Sequence, residues 1–217
     1  MSIAAVTPLR EYARAKKTAV SEAQPGTATP AMLRSVAQEL TISRSGDAFT
    51  SIIGQFERHA VHLEAHHNTP LIAVTKDLVT VTEHHPIGTV LVVPAPACDS
   101  TTIGTHIAAA LTAGNHLSLV TLDPVDGVTK LFHEVLAHVL TSRLFTLLSP
   151  GTGWETSASQ SIVVITPDDA FANDQPWWRH HNCSSNSTDL STLVQFYERL
   201  STITVPYRTS PYRENYS

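Results

Sequence analysis

Apolar positions along this chain change period several times, and the changes mark out its elements. At 31–40, Leu33, Val36, Ala37 and Leu40 fall at i, i+3, i+4 and i+7, which predicts an amphipathic helix. Ser45-Gly46-Asp47 opens a second, longer helix with Asp47 as N-cap, and Phe49, Ile52, Ile53, Phe56, Ala60 and Leu63 lie on one stripe. The period then shortens. Residues 71–82 alternate and are rich in Val and Thr, so they read as one or two strands. Residues 89–93 form an unbroken apolar run, as a strand buried on both faces requires.

Helix and strand alternate from there. Residues 100–113 read as a helix closed by Gly114 at C′, 117–122 as a strand, 128–142 as a helix, and 145–148 and 161–166 as strands. That series predicts an α/β fold, a Rossmann-like, mostly parallel sheet with flanking helices. Its core is expected around Val90, Val92, Ile107, Leu111, Leu117 and Leu119. After Pro167 the residues are polar and loop-like to 189, and 190–200 form a last helix with Leu193, Phe196, Tyr197 and Leu200 on one face. The stretch 205–217, with two prolines and three tyrosines, reads as extended. Residues 1–30, with breakers at Gln24-Pro25-Gly26 and Thr29-Pro30, read as an arm with at most one short helix. The expected organisation is thus an arm at 1–30, one α/β domain at 31–166, and an extension at 167–217.

Composition narrows the choice of partners. With 217 residues, 42% hydrophobic, the chain suits one medium domain with a real core. Its 14 Lys and Arg against 19 Asp and Glu, a formal charge of -5, argue against a nucleic-acid groove. Two cysteines, Cys98 and Cys183, make neither a disulfide framework nor a CxxC zinc site. No apolar run is long enough to cross a bilayer, so the chain is read as not membrane-spanning, though it can sit on a membrane complex. Near the start, Arg10, Arg14, Lys16 and Lys17 outnumber Glu11, and Ile3, Val6, Leu9 and Tyr12 share a loose helical face. That pattern fits mitochondrial targeting and equally an ordinary basic amphipathic arm, with a cytoplasmic location as the alternative; the start at Met1 disfavours a cleaved presequence and leaves an uncleaved signal open.

The segment Pro86-Ile87-Gly88-Thr89-Val90-Leu91-Val92-Val93, followed after a helix by Ala113-Gly114-Asn115, resembles the aldehyde dehydrogenase family. The family reads E-P-L-G-V-V-x-x-I at the strand and A-L-A-A-G-N at the end of the next helix. The likeness spans 31–166 and is specific over 86–123. It implies the cofactor-binding domain of that family, and the departures from the pattern imply lost chemistry. The family's P-W-N-F/Y-P loop falls on Ala95 to Asp99, where Ala97 replaces the Asn that donates to the oxyanion. Removing one such donor costs about 2.7–4 kcal/mol of transition-state stabilisation. The Lys that contacts the adenosine ribose falls on Val120, and the Glu beyond it on Asp123. The glycine-bearing turn falls on Pro167-Asp168, where Pro brings no N–H and Asp brings negative charge. The family's nucleophilic Cys and general-base Glu have no counterpart, and Cys183 stands in His181-Asn182-Cys183-Ser184 rather than in G-Q-x-C.

Other clusters were weighed on their chemistry. His59, His62 and His66, at i, i+3 and i+7, are read as a polar helix face meeting solvent or a partner, in preference to zinc ligands. His180, His181 and Cys183 are likewise preferred as loop residues. Trp177, Trp178 and Arg179, with Tyr207, Arg208, Tyr212, Arg213 and Tyr216, have the composition of interface anchors. The reading that follows is a pseudoenzyme: a structural subunit that binds no cofactor or metal, whose partners are protein subunits of a larger, mitochondrial complex such as a respiratory-chain or ATP synthase complex. Two alternatives stay open, a degenerate nicotinamide-nucleotide-binding module and an enzyme completed by a partner chain.

Overall fold

The computed structural model describes residues 27–43, 46–65, 70–75, 78–121, 126–149, 160–173, 175–180 and 187–206. Its elements in chain order are α1 (Pro30–Ile42), a 3-10 turn (Gly46–Phe49), α2 (Thr50–Ala65), β1 (Leu71–Val74), β2 (Leu78–Pro86), β3 (Thr89–Pro94), α3 (Ser100–Thr112), β4 (His116–Val120), α4 (Gly127–Val139), β5 (Phe145–Leu148), β6 (Gln160–Ile165), β7 (Asp169–Ala172), β8 (Gln175–Arg179), α5 (Ser187–Phe196) and β9 (Glu198–Pro206). The chain divides into two compact units, one of Pro25–Asn68 and His84–Arg199, the other of Met1–Gln24, Thr69–Glu83 and Leu200–Ser217.

The first unit is built on a six-stranded sheet in the order β5-β4-β3-β6-β7-β8. Strands β5, β4, β3 and β6 are parallel, while β7 and β8 add antiparallel partners at one edge. Numbered by appearance, the parallel strands run 3-2-1-4, so the chain reverses direction across the sheet between β3 and β6. The core residues expected from the sequence, Val90, Val92, Ile107, Leu111, Leu117 and Leu119, are all fully buried. Thr29 and Pro30 do not interrupt α1 but start it: Thr29 Oγ1 accepts from Met32 N–H, and Pro30 takes the first turn, where a missing N–H costs nothing. Asp47 lies inside the 3-10 turn that precedes α2 rather than at a cap.

The end of α3 fixes its neighbours. Gly114 has φ 84°, and the N–H groups of Gly114 and Asn115 return to the carbonyls of Leu111 and Ala110, a Schellman closure. Asn115, wholly buried, then ties three elements together. Its Oδ1 accepts from Gly88 N–H, and its Nδ2 donates to the carbonyls of Ala110 and Tyr197. The Ala113-Gly114-Asn115 motif is therefore a structural lock at the N-terminal ends of β3 and β4.

Three expectations need correction. Residues 168–189 are not a plain loop: β7 and β8 lie there, turned by Asn173 at φ 49°, and Ala170 is fully buried. Polar flanks hid a strand whose pairing comes from β6. The compact unit accordingly runs on past 166 to Arg199. The last helix stops at Phe196, and Leu200 belongs to β9, where it is 65% exposed.

In the second unit, strands β1, β2 and β9 form a three-stranded sheet in that order. Ile72 pairs with Val81 and Val74 with Val79, so these four share a face. Thr80 and Thr82 meet Thr204 and Thr202 through their hydroxyls on the other face, which leaves Ile203 and Val205 on the apolar one.

Candidate functional site

In an open α/β sheet the binding crevice lies beyond the carboxyl ends of the strands where the order reverses. Here that place is flanked by 95–99 after β3 and 166–168 after β6. Ala95 N–H donates to the Ile165 carbonyl at 2.7 Å, and Cys98 N–H donates to the Ala95 carbonyl at 2.9 Å, folding a tight turn. Pro94 and Pro96 contribute no N–H. Asp99 caps α3, its Oδ1 accepting from Thr102 N–H at 2.7 Å. The next crossover helix, α4, is capped by Asp126, which accepts from the N–H groups of Val128 and Thr129 and from the Thr129 hydroxyl. The Thr129 hydroxyl leads in holding that carboxyl below its ordinary range, followed by backbone donors. Both helix N-termini that an open α/β fold turns toward an anionic ligand thus already hold a carboxylate.

The other side of the crevice is closed differently. Strand β6 turns straight back into β7 through Thr166-Pro167-Asp168-Asp169. Thr166 donates its N–H and its hydroxyl to the Asp169 carbonyl, and Asp169 N–H donates to Thr166 Oγ1. No helix lies between β6 and β7, so no helix begins at this turn. At the end of β8, His180 N–H donates to the Asp168 carbonyl at 2.7 Å, and its Nδ1 lies 3.2 Å from the Pro167 carbonyl.

Beneath this turn lies a chain of three side chains. His106, wholly buried in α3, places Nε2 2.8 Å from His180 Nε2 and Nδ1 2.8 Å from the Tyr197 hydroxyl. Its ring stands edge-on to both partners, at 78° to His180 and 73° to Tyr197. Burial, then the neighbouring His180, pushes His106 down to about 3. Burial also lowers His180, against the opposing pull of the Pro167 carbonyl and of Asp169, Asp168 and Asp99. Cys98, half-buried beside the chain, points its thiol at the Thr166 carbonyl, 3.9 Å away. Burial first, and then Asp99, push that thiol up to about 12, so it carries almost no thiolate at neutral pH.

Solved structures similar to part of this chain include aldehyde dehydrogenases. Glyceraldehyde-3-phosphate dehydrogenase GapN from Methanocaldococcus jannaschii, complexed with NADP, is 16% identical, with a TM-score of 0.45 over 55% of this chain and 31% of its own. The NAD-dependent aldehyde dehydrogenase from Sinorhizobium meliloti is 11% identical, with a TM-score of 0.47 over 56% and 29%. The Mycobacterium tuberculosis aldehyde dehydrogenase complexed with NAD+ is 16% identical, with a TM-score of 0.45 over 56% and 29%. The chain therefore spans about 30% of the length of these structures. No family model matches it, and no curated protein does.

The positions singled out from the sequence fall as follows. Ala97 sits exposed in the turn after β3, and Pro167 sits exposed in the turn after β6. Val120 is buried at the end of β4, where Thr121 donates its N–H and hydroxyl to the Leu148 carbonyl of β5. Trp177, Trp178 and Arg179 belong to β8, whose backbone pairs Trp178 with Ala170 and Arg179 with Asp169. Asp123, His66, His181, Cys183, Tyr207, Arg208, Tyr212, Arg213 and Tyr216 lie outside the described residues.

The helix face of His59 and His62 differs from its expectation. His59 does not meet solvent but packs into the core, its Nδ1 on the Gln55 carbonyl and its Nε2 without a partner. Burial pushes it down to about 4. Among the described residues, no group of three or more His, Cys, Asp or Glu is placed to hold a metal ion. The His106–Tyr197 pairing was not read from the sequence. Its one signal there is an imidazole in the middle of an otherwise Ala-, Ile- and Thr-rich helix.

Proposed function

We propose that this chain is a non-catalytic accessory subunit, an aldehyde-dehydrogenase-like α/β domain kept for its shape and held in a larger protein assembly. The observation that carries the reading is the state of the crevice at the carboxyl ends of β3 and β6. A dinucleotide needs free amides and a positive helix end for its pyrophosphate. Here Asp99 and Asp126 occupy the amides of α3 and α4, and Pro94, Pro96 and Pro167 withhold others. Asp168 stands exposed where further negative charge would approach. Ala97 offers no donor to an oxyanion, and the Cys98 thiol is masked by its burial.

The second half of the reading rests on the β1–β2–β9 sheet. On one face Ile72 is 57% exposed, Val74 66%, Ile203 49% and Val205 46%, while Val79 on the same face is buried. An apolar face of that kind supports a role in contact with other subunits. The basic, amphipathic start at Arg10, Arg14, Lys16 and Lys17 supports a mitochondrial setting, and a respiratory-chain or ATP synthase complex suits such a subunit.

Gentle isolation of the tagged chain from its source, with size analysis, tests the proposal, alongside calorimetric titration of the purified chain with NAD and NADP. Stoichiometric co-migration with a large complex and no saturable cofactor binding are expected. A free monomer or homodimer would overturn the subunit reading. Saturable micromolar cofactor binding would turn it into a nucleotide-binding module.

A further inference from the structure

Tyr197, His106 and His180 join three parts of the domain that are distant in sequence: the α5–β9 junction, the middle of α3 and the end of β8. The polarity of their hydrogen bonds follows from the outer end. His180 Nδ1 faces the Pro167 carbonyl at 3.2 Å, and a carbonyl only accepts. Nδ1 therefore carries the proton of the neutral ring, and Nε2 is left as an acceptor. His106 Nε2–H donates to it across 2.8 Å. A neutral imidazole has one N–H, so His106 Nδ1 is an acceptor too, and the Tyr197 hydroxyl donates to it across 2.8 Å. Every link in the row runs from Tyr197 outward.

We propose that this row is a reversible proton relay, whose direction inverts when His180 takes up one proton at acid pH. The cation of His180 carries N–H at both ring nitrogens. Its Nδ1–H stays on the Pro167 carbonyl, and its Nε2–H now donates to His106 Nε2. His106 remains neutral and shifts to the Nδ1–H tautomer, donating to the Tyr197 oxygen. The balance is one proton gained by the row, at His180, with His106 and Tyr197 each keeping one. Burial holds His180 below the ordinary imidazole range, while the Pro167 carbonyl, Asp169 and Asp168 after β6, and Asp99 at the start of α3 pull it toward the cation, so the proton is taken up on the acid side of that range. His106 beside it stays uncharged, because it lies wholly inside the domain. The turn at the sheet crevice and the α5–β9 junction thereby sense the same proton. Tyr197 is well placed to pass the change on, since its backbone carbonyl accepts from both Ile87 N–H and Asn115 Nδ2.

The test is long-range 1H–15N correlation of the chain labelled with 15N-histidine, recorded from pH 7.5 to pH 5.5. His106 is expected as the Nε2–H tautomer at neutral pH, passing to Nδ1–H in step with the titration of His180. An Nδ1–H tautomer at neutral pH, or an Nε2–H tautomer that persists after His180 is protonated, would overturn the relay. His180→Gln supplies the second arm. Its side-chain oxygen accepts from His106 Nε2–H but takes up no proton, so His106 is expected to stay Nε2–H across the range. A tautomer change in that variant with the same midpoint as in the unsubstituted chain would refute the assignment to His180.

Discussion

Among the described residues three imidazoles lie inside the fold, and acid should unfold it through them. His59 in α2 and His133 in α4 are each pushed down to about 4 and His106 in α3 to about 3, all chiefly by burial. The Nε2 atoms of His59 and His133 have no partner, so nothing inside the core rewards a proton there. In the unfolded chain each ring returns to a pKa near 6.5. The folded values are depressed, so the unfolded chain binds more protons and stability falls as the pH falls. Above 6.5 there is no penalty; it grows through the window from 6.5 down to about 4, where His59 and His133 protonate in the folded state as well. At pH 5 each ring lies about 1.5 pH units below its unfolded value, which is about 2 kcal/mol per ring and roughly 6 kcal/mol for three. That is comparable with the whole stability of an ordinary domain. Ordinary carboxylates titrate lower, so the window belongs mainly to histidine. Urea unfolding followed by far-UV circular dichroism, repeated from pH 8 to pH 5, measures the slope. A midpoint that collapses between pH 6.5 and 5 is expected, with His59→Leu removing about a third of the fall. Stability constant within about 1 kcal/mol from pH 7.5 to pH 5 would refute the reasoning.

Further outcomes follow from single sites. Asn115→Ala removes the acceptor for Gly88 N–H and one of two donors to the Tyr197 carbonyl, which keeps Ile87 N–H; a loss of about 1–3 kcal/mol is expected in thermal or urea melts. Gly104→Leu should be worse than Gly104→Ala, because a Cβ there already meets Ile52 Cγ2 at 3.0 Å and Phe132 Cζ at 3.3 Å; a cost of about 1–3 kcal/mol is expected for overpacking the α2–α3–α4 contact, and calorimetry reads it. In a Cys183→Ser background, Cys98 should react with a disulfide reagent at pH 8 at least tenfold more slowly than after unfolding in urea, as its thiol titrates near 12. Equal rates in the two conditions would show that the thiol is not shielded.

Much of the architecture was legible because parallel strands and their crossover helices bury whole faces. Val90, Val92, Leu117 and Leu119 make runs that have no other use, and the alternation of period announces the crossovers. Caps were readable where a residue type acts locally, as with Gly114, whose positive φ closes α3. They were misread where one residue type has two uses: Thr29-Pro30 breaks a chain in one context and starts a helix in another. Strands β7 and β8 were invisible for a different reason. Short, polar-flanked segments such as Asp169–Ala172 become strands only because β6 offers them an unpaired edge, and that edge lies outside their own sequence.

Of the candidate site, the sequence offered single positions such as Ala97, Val120 and Pro167, each read alone against a family resemblance. A relay requires several residues at once. Tyr197 is 91 positions from His106, and His180 is 74 away. Only the antiparallel edge and the Asn115 lock bring these side chains together, and the antiparallel edge was not predicted. The two kinds of residue also answer to different forces. The core holds through apolar area, which does not depend on the chemistry at the carboxyl ends of the strands. The buried histidines are expected to make the fold sensitive to acid, because burial penalises their charged forms. Their cost falls entirely in the folded state, and His106 meets part of it by hydrogen bonding through both ring nitrogens. His59 and His133 have no such compensation at Nε2, which makes them the sharper test of how this core is held.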